Sequence, residues 1–121
     1  MKLKIALFAV ISLFFAAGCG GNSPKSVALK WHKAIIAGDL KAANAVSTDK
    51  TTAANAMIIG CLQDKENEEV KKFLALKYDT ESINGDKAVV SPSAGAEDNE
   101  KIKLVKQNGK WLVDVDKEYV E

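Results

Sequence analysis

The chain has 121 residues with 17 basic side chains against 16 acidic ones, a net charge of +1 that excludes the basic excess of a nucleic-acid-binding domain. All of the basic residues are lysine, so the planar guanidinium fork that clamps phosphates and carboxylates bidentately is missing and nucleotide recognition is disfavoured. Two cysteines and one histidine are too few for a Cys-rich or His-rich metal shell, and no GxSxG, Walker loop, HExxH or paired CxxC occurs, so neither a metal nor a cofactor is expected.

The first segment reads as an export leader. Lys2 and Lys4 make a basic start, Ile5 to Ala17 is uncharged and apolar, and small residues lead to Cys19. Its 13 uncharged residues cover about 20 Å as a helix, short of a hydrocarbon core of about 30 Å, so cleavage is expected rather than a permanent span. Ala16-Ala17-Gly18-Cys19 resembles a bacterial lipobox, departing from it at Ala16, where such boxes most often carry Leu. The resemblance implies removal of residues 1–18, diacylation of the Cys19 thiol and a membrane anchor at Cys19. Gly20, where an Asp would signal inner-membrane retention, places the protein in the cell envelope on the periplasmic face of the outer membrane if the host has two membranes. Ordinary Ala-x-Ala cleavage, leaving Cys19 a free thiol, is the alternative.

Residues 19–23 form a short tether: only Gly20, Gly21 and Asn22 separate Cys19 from the Ser23-Pro24 cap, and these three, at 3.3 to 3.6 Å per residue, reach little more than about 10 Å, so the folded part rides close to the headgroups. Without Lys2 and Lys4 the balance becomes 15 lysines against 16 acids, and no general attraction to anionic lipid follows. Acylated, Cys19 leaves Cys61 without a disulfide partner. Cys61 closes the apolar run Ala56-Met57-Ile58-Ile59-Gly60 and is expected to be a buried small hydrophobe.

Residues 24–121 are expected to form a single α+β domain, with helix signals in the first half and strand and turn signals in the second. Ser23-Pro24 caps a helix to Ala37 that presents Val27, Ala28, Trp31, Ile35 and Ile36, with Lys30 and Lys33 opposite, and Gly38 closes it. Asp39 caps a second helix over Leu40 to Val46, before a turn at Ser47-Thr48-Asp49. A third helical region is predicted from near Thr51 to about Gln63, followed by an apolar face of Val70, Phe73 and Leu74. From Leu76 the pattern becomes strands. Asn84-Gly85 and Asn108-Gly109 each predict a type I′ hairpin. The second pairs Leu104 with Val113, Ile102 with Val115, Lys103 with Asp114 and Lys101 with Asp116, giving one apolar and one charged face. Ser93 to Glu100 reads as a loop between the hairpins.

Residues Trp31 to Asp39 (WHKAIIAGD), Ile83 to Val90 (INGDKAVV) and Leu104 to Trp111 (LVKQNGKW) resemble, in their order, small bacterial lipoproteins of the SnoaL-like, nuclear-transport-factor-2-like superfamily. That resemblance implies N-terminal helices on a curved antiparallel sheet of about four strands, a cone with an internal pocket in many members, and a superfamily that hosts both enzymes and binders.

Each candidate site residue has a plain structural explanation beside its functional one. His32, the one histidine, lies on the apolar arc and can serve as a general base with an acid such as Asp79, or be hydrogen-bonded in the core. Trp31, His32, Tyr78 and Trp111 can border a pocket for a small apolar ligand, or pack the core with Phe73. Asp79 and Glu81 alternate with Ile83 and can face a pocket or solvent; Asp39 is explained by capping; Asp114 and Asp116 read as a solvated ladder with lysine. The sequence therefore points to a membrane-anchored, non-enzymatic binding domain for a small apolar ligand or an envelope protein, with a SnoaL-like isomerase, dehydratase or hydrolase using a His32-carboxylate pair as the alternative.

Overall fold

The computed structural model describes residues 23–93, 95–97 and 100–115; the leader, Cys19, most of the tether and Asp116 lie outside them. Helix α1, Pro24–Ala37, is bounded by local signals. Ser23 Oγ accepts from the Ser26 amide at 3.1 Å while the Ser23 amide donates to Ser26 Oγ at 3.0 Å, a reciprocal cap worth about 1 kcal/mol. At the other end Gly38 takes a φ of 73°, which a side chain would resist. Its amide donates to Ile35 O at 3.1 Å and that of Asp39 to Ala34 O at 2.8 Å, the Schellman pair. Asp39 then turns its carboxylate to the Ala42 amide at 3.1 Å and opens α2, Leu40–Ala45. One residue thus ends a helix with its backbone and starts the next with its side chain.

Helix α3 covers Asp49–Cys61, starting and stopping about one turn-half earlier than the Thr51 to Gln63 pattern suggests. The difference arises because Ser47 and Thr48, expected in a turn, are drawn out to pair with the sheet. Helix α4, Glu68–Ala75, is capped by Asn67, whose Oδ1 accepts from the amides of Glu69 at 2.8 Å and Val70 at 3.2 Å, with Glu68 and Glu69 at the favourable positive end.

Strands β1 (Thr80–Asn84), β2 (Lys87–Ser91), β3 (Ile102–Gln107) and β4 (Lys110–Val113) form an antiparallel meander in that order. The β3–β4 hairpin has positive φ at both Asn108 (52°) and Gly109 (79°), the I′ requirement, and Leu104 faces Val113 as the alternation predicts. The first hairpin differs. Asn84 pairs with Lys87, so Gly85 and Asp86 are the loop residues, and Gly85 alone has positive φ (64°), the sign pattern of a II′ turn with glycine first. The expectation of two positive angles at Asn84-Gly85 is corrected by one residue.

Ala88, Val90, Ile102, Leu104, Trp111 and Val113 are buried on one face of the sheet, where α1 touches all four strands and α2 and α3 pack against α1. The fold is α+β: four helices with a four-stranded antiparallel sheet. Trp31, Ile35, Val90 and Ile102 are fully buried in one continuous cluster, and burial of each such side chain contributes about 1.5 to 3 kcal/mol.

The free edge of β4 is covered by the segment between α2 and α3. The Val113 amide donates to Val46 O at 2.8 Å and the Thr48 amide to Val113 O at 2.9 Å, a parallel bridge that covers the edge at the end of β4. Thr51 extends this clasp: its hydroxyl donates to Val115 O at 2.7 Å and accepts from the Val115 amide at 2.9 Å. Thr51→Val keeps the shape but strands two buried backbone groups of Val115, so we expect a loss of about 2 to 4 kcal/mol, read as a lowered urea midpoint with unchanged slope.

Candidate functional site

His32 lies on the inner arc of α1 and is 7% exposed. Its ring meets Phe73 of α4 with centroids 4.8 Å apart and Tyr78, from the segment before β1, edge-on at 4.9 Å. Nε2 stands 3.0 Å from Phe73 O. A carbonyl only accepts, so Nε2 carries the hydrogen and the tautomer is set by this bond. Burial lowers the imidazole pKa below its usual 6.5, opposed in part by the bond to Phe73, and the ring is neutral at pH 7.

Asp79 is exposed and precedes β1, and no hydrogen bond joins it to His32. The hydrogen-bonded dyad required by the catalytic alternative is therefore not assembled in this structure. Glu81 is also exposed, but its register opposite Val90 turns it toward α1, where its carboxylate accepts from the Lys25 amide at 2.8 Å. That amide is one of the donors a helix start leaves without an intrahelical partner, so Glu81 reinforces the cap from across the fold.

All four aromatic or imidazole candidates are buried, and Trp31, Tyr78 and Trp111 belong to one core cluster. His32 and Tyr78 form one cluster with Phe73. Trp31, fully buried, donates from Nε1 to Asn55 Oδ1 at 2.7 Å. Trp111, 7% exposed, lies on the inner face of β4 with the Lys106 ammonium 5.7 Å from its ring centroid, a cation–π contact worth about 0.5 to 1 kcal/mol.

Ile36, expected on the apolar arc of α1, is 36% exposed, and the expectations for Cys61 and Asp114 are overturned as well. Cys61 is exposed: the inner arc of α3 is set by Thr51, Ala54, Asn55 and Ile58, and Cys61, the last helical residue, falls beyond it. Asp114 does keep backbone register with Lys103, whose carbonyl accepts from its amide at 2.7 Å. Its carboxylate, however, turns to the start of α3, accepting from the Thr48 hydroxyl at 2.8 Å and lying 3.6 Å from Lys50 Nζ. The pull of a buried hydroxyl and the positive helix start displaces the expected lysine ladder. Asp39 caps α2 as its position predicts, and Val105 and Leu112 are half-buried on the outer sheet face.

Sequence reasoning missed a buried polar cluster. Asn55 Nδ2 donates to Asn44 Oδ1 at 2.9 Å and to Ser47 Oγ at 3.0 Å, and the Ser47 hydroxyl donates to Ala43 O at 2.6 Å. Its only trace in the sequence is that Thr51 and Asn55 share one helix face with Ala54 and Ile58. Every polar atom of the Asn55 carboxamide is engaged within the protein, which makes the cluster a structural joint rather than a receptor for a ligand. Among the described residues, no three His, Cys, Asp or Glu side chains converge as a metal site, and no helix is long and apolar enough to cross a membrane. Comparison with protein-family models, curated proteins and solved structures finds no match to the chain.

The burial of His32 makes stability depend on pH. Its folded pKa lies below the unfolded 6.5, so the unfolded chain takes up the proton first. This contribution is whole above pH 6.5 and diminishes as pH falls below it, by up to about 1.4 kcal/mol per unit until the folded pKa is passed. Denaturation between pH 7.5 and 5 should show this slope in the parent and its loss in His32→Gln.

Proposed function

We propose that this chain is a lipid-anchored cell-envelope protein whose α+β domain works by binding, with an envelope protein or a small apolar ligand as its partner. The anchor half of this reading is supported by the run from Lys2 through the apolar leader to Ala16-Ala17-Gly18-Cys19, followed after a few small residues by the capped start of α1. Two or more acyl chains on Cys19, at about 0.8 kcal/mol per buried CH₂, suffice for stable attachment where one does not.

The observation that favours binding over catalysis is the placement of His32. The imidazole that the catalytic alternative needs as its base is buried against two aromatic rings and spends its Nε2 hydrogen on a backbone carbonyl, while Asp79 stands in solvent. Between the two partner classes, Trp31 and Tyr78 are nearly inaccessible and Trp31 is hydrogen-bonded inside the core, which favours recognition at the outer surface by another protein. The resemblance to SnoaL-like lipoproteins is compatible with this function, since that superfamily includes binders.

Palmitate labelling of cells expressing the full chain should acylate the protein and carry it to the membrane fraction, and Cys19→Ala should lose both. Native mass spectrometry of the detergent-released lipoprotein then separates the partners. A retained small molecule would favour the pocket reading, and its absence together with a co-purified envelope protein lost on surface substitution would favour the protein partner.

A further inference from the structure

Helix α1 carries two of the exposed large apolar side chains of the described residues, beside two exposed lysines. Val27, Ala28, Trp31, His32, Ala34 and Ile35 turn inward, leaving Leu29, Lys30, Lys33 and Ile36 exposed on one arc, with Leu29 at 43% and Ile36 at 36%. No acid occurs between Ser23 and Gly38. Among the described residues Lys30 and Lys33 form no ion pair, in contrast to Lys50, Lys71 and Lys72. Glu81 and Asp39 are engaged at its two ends, Glu81 on the Lys25 amide and Asp39 on the Ala42 amide. Neither carboxylate is bound across the outer arc. Two large apolar side chains beside two unneutralised ammonium groups are the composition of a helix lying in a lipid interface, where the lysine stems run along the apolar layer and the charges meet phosphate.

The chain itself restricts where this face can be. Cys19 precedes the Ser23 cap by four residue steps, about 14 Å at full extension, against an α1 length of about 21 Å. A domain held so close by its helix start cannot stand clear of the surface that holds Cys19. We infer that the outer face of α1 lies along an anionic phospholipid surface, with Leu29 and Ile36 entering the headgroup layer and Lys30 and Lys33 meeting lipid phosphates. This rests on the lipid anchoring proposed above. Because the mature balance is close to neutral, the attraction is local to this face and orients the domain.

The test uses the acylated full chain in vesicles of phosphatidylglycerol and phosphatidylcholine. A fluorophore is attached either to Leu29→Cys in a Cys61→Ser background or to the native, exposed Cys61 as reference. A headgroup quencher should extinguish the label at 29 and spare the one at 61. Each lysine at an anionic surface is worth about fivefold, so Lys30→Gln with Lys33→Gln should lower the ratio of docked to undocked domain by about 25-fold. High salt or phosphatidylcholine alone should act in the same direction.

Equal quenching at 29 and 61, or quenching at 29 indifferent to charge and salt, would overturn the inference. The intact mass of the same sample reports acylation independently. An acylated chain with position 29 in water refutes this orientation alone. An unacylated Cys19 refutes the anchor, and the orientation then survives only if the unanchored chain floats with anionic vesicles and the Lys30→Gln, Lys33→Gln chain does not.

Discussion

The carboxamide of Asn55 is the joint on which the arrangement of the helices depends. From inside α3 it binds the Trp31 indole of α1, the Asn44 amide of α2 and the Ser47 hydroxyl of the connecting segment, using both its donors and its oxygen. A buried amide is costly when unmatched, so only one mutual placement of these elements satisfies all of its bonds. Apolar packing alone would accept many neighbouring placements, and the amide selects among them.

The sheet is tied to that joint through β4. Ser47 contributes its hydroxyl to the Asn55 cluster while Val46 and Thr48 pair with Val113, and Thr51 then holds both backbone groups of Val115. A side-chain network and a backbone ladder share one short segment, so helix placement and closure of the sheet edge are coupled. At the far edge the connection is thinner: β1 is exposed along nearly its whole length and reaches α1 through Glu81. Among the described residues the sheet is therefore firmly joined at β4 and unpaired at the outer edge of β1, beside the exposed Asp79 and Glu81.

This distribution of polarity bears on function. The one imidazole and the Trp31 indole are committed to internal bonds, and the surface keeps the Cys61 thiol, lysines, acids and a few exposed apolar side chains. Helix α3 carries the pattern furthest: Thr51 and Asn55 turn inward, while Ala53, Ala56, Met57 and Cys61 face out. A reader of amphipathic patterns assigns the apolar side to the core, which is why Cys61 was expected inside and Asn55 passed unremarked.

The amino-acid sequence by itself determined the features whose causes are local. Ser23 and Gly38 bound α1, Asp39 caps α2, Asn108-Gly109 sets the last hairpin, and alternation in β3 and β4 sets its register, because each acts over a few residues through steric or hydrogen-bonding rules that need no partner element. The candidate site was legible only as a set of residue types: His32, Trp31, Tyr78 and Trp111 could be named, but not whether they line a space or fill one. Tertiary structure decided that His32 packs against Phe73 and Tyr78 while Trp31 turns to Asn55, that the Asp114 carboxylate goes to Thr48 rather than Lys103, and that α3 turns Thr51 and Asn55 inward beside Ala54 and Ile58. Each of these depends on a partner far away in the chain, and the cost of leaving a buried polar group unmatched has no signature in local periodicity.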